Sequence, residues 1–569
     1  MRPKQPGLTA TDVDIALSQL HVAGAQTLYF PTFEYETSLE SFLDKVVVPC
    51  LAIDRNHIAG ELFRLFAAHE FDWVRGKWDR DYTAGPVVSS WYLYENRGFI
   101  ADERVTMLSG QASNSVKRRS LHGQWSSRMA FVLAVTGSAV GLGNIWKFPY
   151  VAGQNGGGAF VLVYLACVAI IGMPVMMSEI LLGRRGRRNP VATMALLGDE
   201  EGKSRNWQWV GGMGIVAGIL ILSYYSVIGG WTLSYVFKSG MGAFAGASPA
   251  EVTAIRDSFT GNWAVLGSFH TLFMGLTIYV VARGVERGLE QAVRFMVPAL
   301  LLLMLALLGY SINSGYFDEG LAFMFTPDFS KLTWDSVLAA MGQAFFTLSI
   351  GMGAVMAYGA YLPEETSITG SSAAVAIADT TIAILAGLVI FPLVFANGLD
   401  PADGPGLVFI TLPLAFGQMS GGVFFSTIFF ILLSFAAWTS SISLMEPAVA
   451  WLVEKHRRTR AQAAVMIGLL IWAIGVGTVL SFNVLSEFKF LKGTIFDNLD
   501  HLTINIMLPL GGVLITVFAG WVLCRNSTAD ELGGSGTIYK LWRVLARYVA
   551  PIGILFIFLK AVGLLPEFS

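Results

Sequence analysis

Eleven separate apolar runs, each near the ~20 residues that a helix needs to cross a bilayer, constrain this chain more than any other feature. They fall at about 128–149, 158–182, 207–237, 262–282, 290–312, 337–360, 372–396, 422–453, 464–481, 502–524 and 543–563. The third and eighth exceed one crossing, so they are expected to tilt or to extend beyond the membrane. Over the 569 residues, charged side chains make up 14% and hydrophobic ones 54%, against roughly 25% charged in a soluble globular protein. Backbone polar groups in lipid must be satisfied within the segment. The fold class is therefore all-α: a polytopic membrane protein of about 11 transmembrane helices.

The charges divide the chain near residue 124. Residues 1–124 hold 13 basic and 15 acidic side chains, and the other 445 hold 50 charges. No opening segment reads as a cleavable signal peptide. The first 124 residues carry frequent aromatics and short amphipathic stretches such as Leu62-Phe63-Arg64-Leu65-Phe66. No strand pattern or repeat in them adds up to a domain. A weakly ordered N-terminal extension, a start placed too far upstream and a regulatory module all remain open. The membrane-spanning part is then 125–569. Its loops set its orientation through Lys and Arg. One set carries RRGRR at 184–188, Arg283, Arg287, Arg294, Lys455, Arg457, Arg458, Arg460, Arg525 and Lys540; the alternate set carries only Arg256, Lys331, Lys489 and Lys492. The first set should be cytoplasmic, with the N-terminus inside and the C-terminus outside.

Several function classes fall away. A net charge of −2 and a pI of about 6.4 do not suit a nucleic-acid partner. Cys50, Cys167 and Cys524 lie too far apart in sequence for a CxxC site or a disulfide framework. Gly202-Lys203-Ser204 resembles the end of a P-loop, but Gly198 is one residue too close and Asp199, Glu200 and Glu201 would repel phosphate. No GxSxG, HExxH or clustered histidines occur, so no enzyme is expected.

The chemistry gathers where helices should break. The first run reads GSAVGLGNIWKFP at 137–149, with Gly137, Gly141 and Gly143 inside seven residues. The sixth reads GQAFFTLSIGMG at 342–353, with Gly351 and Gly353. Glycine is a poor residue for a continuous helix. Interruptions five spans apart point to inverted repeats, at about 125–312 and 334–524, with an extra helix at about 543–563 and a site at the broken helices. Unwound backbone frees carbonyls for a cation or an amino group, and half-helix N-termini offer N–H groups to a carboxylate.

These segments, with NGGGAF (155–160), LSYYSVIGGW (222–231) and FAAWTSSISLMEP (435–447), resemble the neurotransmitter:sodium symporter family, particularly its bacterial amino-acid transporters, over about residues 124–563. The resemblance implies the 5+5 inverted-repeat, leucine-transporter-like fold with broken first and sixth helices. It implies two Na⁺ sites. The first would use Ala139, Asn144, Thr347, Asp379 and the substrate carboxylate; the second would use Gly137, Val140, Ala436, Thr439 and Ser440. Neutral oxygens with few full charges suit a hard monovalent cation. The substrate pocket would be Ile221, Tyr225, Phe346, Ser349, Met352, Ser441 and Leu444, with backbone from Ala139, Gly141 and Gly143. Thr439, Ser440 and Ser441 could instead bond helix carbonyls.

The resemblance further implies an outer gate of Lys147 and Asp500 above a lid of Tyr225 and Phe346, and an inner gate of Trp125, Tyr361 and Glu454. The family's inner-gate Arg corresponds to His122 here, with Arg118 and Arg119 further back. Glu179 is expected to accept bonds from unwound backbone. Gly288 and Pro298 frame a segment of span five expected to unwind on inward opening. Gly141 stands where the monoamine branch carries Asp, which favours a zwitterionic substrate. Asp379 stands where chloride-dependent members carry Asn, which favours chloride independence, although Tyr164, Gln343 and Thr347 keep the positions that surround the anion there. The expected function is Na⁺-coupled import of a hydrophobic or aromatic amino acid across the plasma (inner) membrane by alternating access. An amino-acid sensor signalling through residues 1–124 is the alternative.

Overall fold

A computed structural model of the chain describes Arg118, residues 120–400 and residues 406–564. The expectations for residues 1–117 and Arg119, including the extension, its amphipathic stretch at 62–66 and Cys50, lie outside the described residues. The helices belong to one compact unit, Val116–Ser569.

Among the described residues every regular element is a helix; the only pairings of strand type are single bridges, Gly157 with Pro327 and Phe490 with Gly493. Among the described residues nine helices are long and apolar enough to span a bilayer: Gly158–Gly186, Arg205–Gly240, Trp263–Ala282, Val285–Ile312, Ile368–Ala396, Gly422–His456, Arg460–Ser481, Ile495–Val522 and Thr537–Ala561. These are spans two to five and seven to eleven. Span one is a pair, Arg128–Ala139 and Gly143–Gln154, bent by 52°. Span six is two shorter helices, Trp334–Thr347 and Ala354–Gly359, separated by six residues. All eleven runs are thus helical, and the two interrupted ones are the two singled out by their glycines.

Local chemistry sets the helix ends. Asn262 accepts from the N–H groups of Ala264 and Val265 to start span four. Thr459 and Gln462 form a capping box that starts span nine. Gly284, at φ +91°, precedes a widened turn at Val285–Glu290 that opens span five, and Pro298 lies inside the same span. Helices outside the spans went unread in the sequence: Pro190–Glu200, Pro249–Gly261, Phe317–Phe325, Leu407–Gly417 and Arg525–Glu531.

Spans three and eight pack together along much of their length, their backbones close because Gly218 places no side chain against the Leu444 carbonyl. Span eleven is the least buried, with 17% of its apolar window covered, leaving Ile538, Leu541, Ile552 and Phe556 on a lipid-suited face. Spans one and six lie inside the bundle, where the broken backbone is shielded as unpaired peptide groups require.

Candidate binding site at the broken helices

The break in span one is made by side chains that replace helical bonds. In a continuous helix the Gly141 N–H would bond the Gly137 carbonyl; here it donates to Asn144 Oδ1 at 3.1 Å. The Leu142 N–H, due to bond the Ser138 carbonyl, donates to the Tyr225 hydroxyl at 3.3 Å. The Ser138 carbonyl instead accepts from Ser349 Oγ at 2.9 Å and Ser440 Oγ at 3.1 Å. Ser138 was not among the expected site residues, although its place four residues before Leu142 is the available signal. The backbone must be glycine at 141, because a Cβ there would lie 2.5 Å from Ser440 Oγ and 2.9 Å from the Tyr225 hydroxyl.

Span six breaks through left-handed backbone. Ser349, Gly351 and Gly353 have φ of +53°, +89° and +75°. Glu179 of span two accepts from the Gly351 N–H in the unwound stretch at 2.6 Å, as expected, and from the Met356 N–H in the second half-helix at 3.2 Å. The Phe346 ring lies against Gly143, where a Cβ would be 3.0 Å away.

Two oxygen clusters flank the break. In the first, Asn144 Nδ2 donates to Asp379 Oδ1 at 2.7 Å, and Thr347 Oγ1 donates to Asp379 Oδ2 at 3.1 Å. Asp379 and Asn144 are fully buried. Among the described residues, no basic side chain lies within ion-pair distance of Asp379. Ala139 ends the first half-helix, and Gln343 Nε2 donates to the Gly143 carbonyl at 2.9 Å. In the second cluster, Gly137 abuts Thr439, with a built Cβ 3.4 Å from the threonine Cβ. Ser440 Oγ lies 3.5 Å from the Val140 carbonyl, and Thr439 Oγ1 donates to the Ala436 carbonyl at 3.0 Å.

Ile221, Tyr225, Met352 and Leu444 are buried around these groups. Ser441 is turned elsewhere: its hydroxyl meets the Trp438 carbonyl at 2.7 Å and Thr277 of span four at 2.8 Å. The outer gate also departs from expectation. Among the described residues Lys147 and Asp500 form no ion pair; the Lys147 ammonium lies 4.3 Å from the Phe346 ring centroid. A lysine is a point charge without the planar fork that locks onto a carboxylate, and an aromatic face offers it a competing partner.

At the other end of the bundle the expected inner-gate residues meet. Trp125 donates its indole N–H to the Tyr358 carbonyl and its backbone N–H to the Tyr361 carbonyl, each at 3.0 Å. Tyr361 donates to Glu446 at 2.7 Å, which Arg460 also bonds. Glu454 meets His122 Nε2 at 3.0 Å and accepts from Asn189 through both its N–H and its amide at 2.8 and 2.7 Å. His122 therefore takes the place opposite Glu454, while Arg118 pairs with Glu200.

The chain matches the sodium:neurotransmitter symporter family over residues 122–248 and 251–567. It is 38% identical to an uncharacterised sodium-dependent transporter, YhdH, of Bacillus subtilis, over 78% of this chain and 98% of that one. It is 26% identical to the sodium-dependent serotonin transporter of Drosophila melanogaster, over 77% and 76% of the respective lengths. The crystal structure of MhsT in complex with L-phenylalanine superposes with a TM-score of 0.71 at 43% identity, covering 77% of this chain and 99% of that one.

Proposed function

Because the chain belongs to the sodium:neurotransmitter symporter family, we propose that this sodium-dependent membrane symporter, which is not an enzyme, imports a hydrophobic or aromatic amino acid by alternating access. The observation that carries the reading is Asp379. A fully buried carboxylate beside the break in span one, bonded to Asn144 and Thr347 and without a basic partner among the described residues, calls for a mobile cation. The first Na⁺ would sit among Asp379, Asn144, Thr347 and Ala139, completed by the carboxylate of the substrate. The second would sit among Gly137, Val140, Ala436, Thr439 and Ser440. Gly137, whose helical N–H partner is diverted to Asn144, supports this by keeping a carbonyl for the ion.

The amino acid would lie against the span-one break, its carboxylate near Tyr225 and Leu142, its side chain among Ile221, Phe346, Ser349, Met352 and Leu444. Adaptable Met352 between two glycines suits large side chains, and MhsT binds L-phenylalanine in the related structure. The Lys147, Tyr225, Phe346 and Asp500 end would face outward and the Trp125, Tyr361 and Glu454 end inward, in the plasma (inner) membrane with the N-terminus cytoplasmic. Uptake of each of the twenty amino acids into proteoliposomes, with and without a Na⁺ gradient, tests the reading. Na⁺-dependent uptake led by Trp, Tyr, Phe or Leu is expected; uptake indifferent to Na⁺, or led by Gly and Ala, overturns it.

A further inference from the structure

Ser126, next to the inner-gate Trp125, is held by the start of span five through three bonds. Its N–H donates to Glu290 Oε2 at 3.1 Å and its hydroxyl to Glu290 Oε1 at 2.5 Å. The same hydroxyl accepts from the Arg294 guanidinium at 2.7 Å, and Arg294 pairs with Glu290 at 2.7 Å. Glu290 is almost fully buried there. The contact is extended by Gly123, at φ +89°, whose missing Cβ would lie 3.4 Å from the Glu286 carboxylate.

Glu290 and Arg294 are four residues apart on one helix face. Helical geometry places their Cα atoms about 6 Å apart; an extended chain of the same length spans about 13 Å. Ser126 can therefore be bonded by both only while 290–294 stays helical. That stretch lies where the backbone is already interrupted, between the widened turn at Val285–Glu290 and Pro298.

We propose that Ser126, Glu290 and Arg294 form a latch that makes release of the N-terminal segment conditional on loss of helix at the start of span five. The inference deepens the alternating-access reading and rests on it. The three are positioning residues: they hold Trp125 against span six through Ser126 and touch neither Na⁺ nor amino acid. Opening the inner gate and unwinding span five are then one event.

Hydrogen exchange on the full chain in Na⁺ tests this, segment by segment, without and with amino acid. Ser126→Ala is expected to raise exchange about tenfold in both 120–128 and 288–298, the shift that follows loss of one hydrogen bond to a charged group. Ser126→Thr, which keeps the hydroxyl, should restore both segments. Ser126→Ala combined with Glu290→Gln should exceed neither single change, as partners in one interaction behave. Faster exchange confined to 120–128, or additive effects of the two substitutions, overturns the latch. A globally faster-exchanging Ser126→Ala chain is misfolded, and Arg294→Gln then decides on the same two segments. The readout needs no transport, so failure of Na⁺-dependent uptake would sink the transport reading and leave this comparison standing.

Discussion

At the scale of single residues, the site turns on two residues that are constrained for opposite reasons. In the proposed reading Asp379 supplies a fixed negative charge, at the position where the family resemblance places Asn in chloride-dependent members. Cations near the middle of a bilayer are costly without an anion close by. Transport is therefore expected to persist when gluconate replaces chloride. Asp379→Asn should impair it, with partial recovery in added chloride, in the same uptake assay. Collapse of wild-type uptake in gluconate would show that Asp379 is not the compensating charge. Gly141 is constrained by what it lacks. Gly141→Ala drives a methyl into Ser440 and the Tyr225 hydroxyl, costing about 1–3 kcal/mol where the backbone must shift. Equilibrium binding in Na⁺ is expected to fall at least tenfold while the chain still folds. Gly141 was legible in the sequence because its motif is dense; Asp379 stands in no such motif and was reached only through the family resemblance, since its partner Asn144 lies 235 positions away. Ser138 was not legible: its side chain is unremarked, and its role lies in a carbonyl released when Tyr225, 83 positions beyond Leu142 in the chain, takes the Leu142 N–H.

At the scale of elements, hydropathy reads what is long and apolar. It located all eleven spans, since twenty apolar residues make a continuous run, and clustered glycines located both breaks. Hydropathy passed over Pro190–Glu200, Pro249–Gly261 and Arg525–Glu531, which are short and mixed in polarity. The Lys147–Asp500 pair was expected from the family resemblance; which partner a lysine takes depends on the Phe346 ring that folding brings to it. The span-six break shows how one element supports another. Glu179 of span two is shared between two backbone N–H groups, one inside the gap at Gly351 and one in the second half-helix at Met356. Glu179→Gln keeps one acceptor and turns an NH₂ toward the other N–H. Loss of a hydrogen bond to a charged group costs about 1.5–3 kcal/mol. Faster exchange across 348–356 and roughly tenfold weaker amino-acid binding are expected; unchanged exchange there would show that the gap supports itself.

At the scale of the whole molecule, the residues that match known transporters cover 98% of YhdH, so the transport machinery is expected to lie within 116–569. Deleting residues 1–115 should leave Na⁺-dependent uptake within about twofold of the full chain; its loss would favour a signalling or regulatory part for that region. The tie between Trp125 and span six has a further consequence. Two bonds join the segment before span one to the last turn of the second half of span six, at Tyr358 and Tyr361. Tyr361 and His122 meet span eight at Glu446 and Glu454. If the first pair of bonds survives inward opening and the second does not, the two inner half-helices swing as one lever. Spectroscopic labels at 125 and 358 would then report a constant separation throughout the cycle, and labels on either of them and on span eight would carry the whole of the motion.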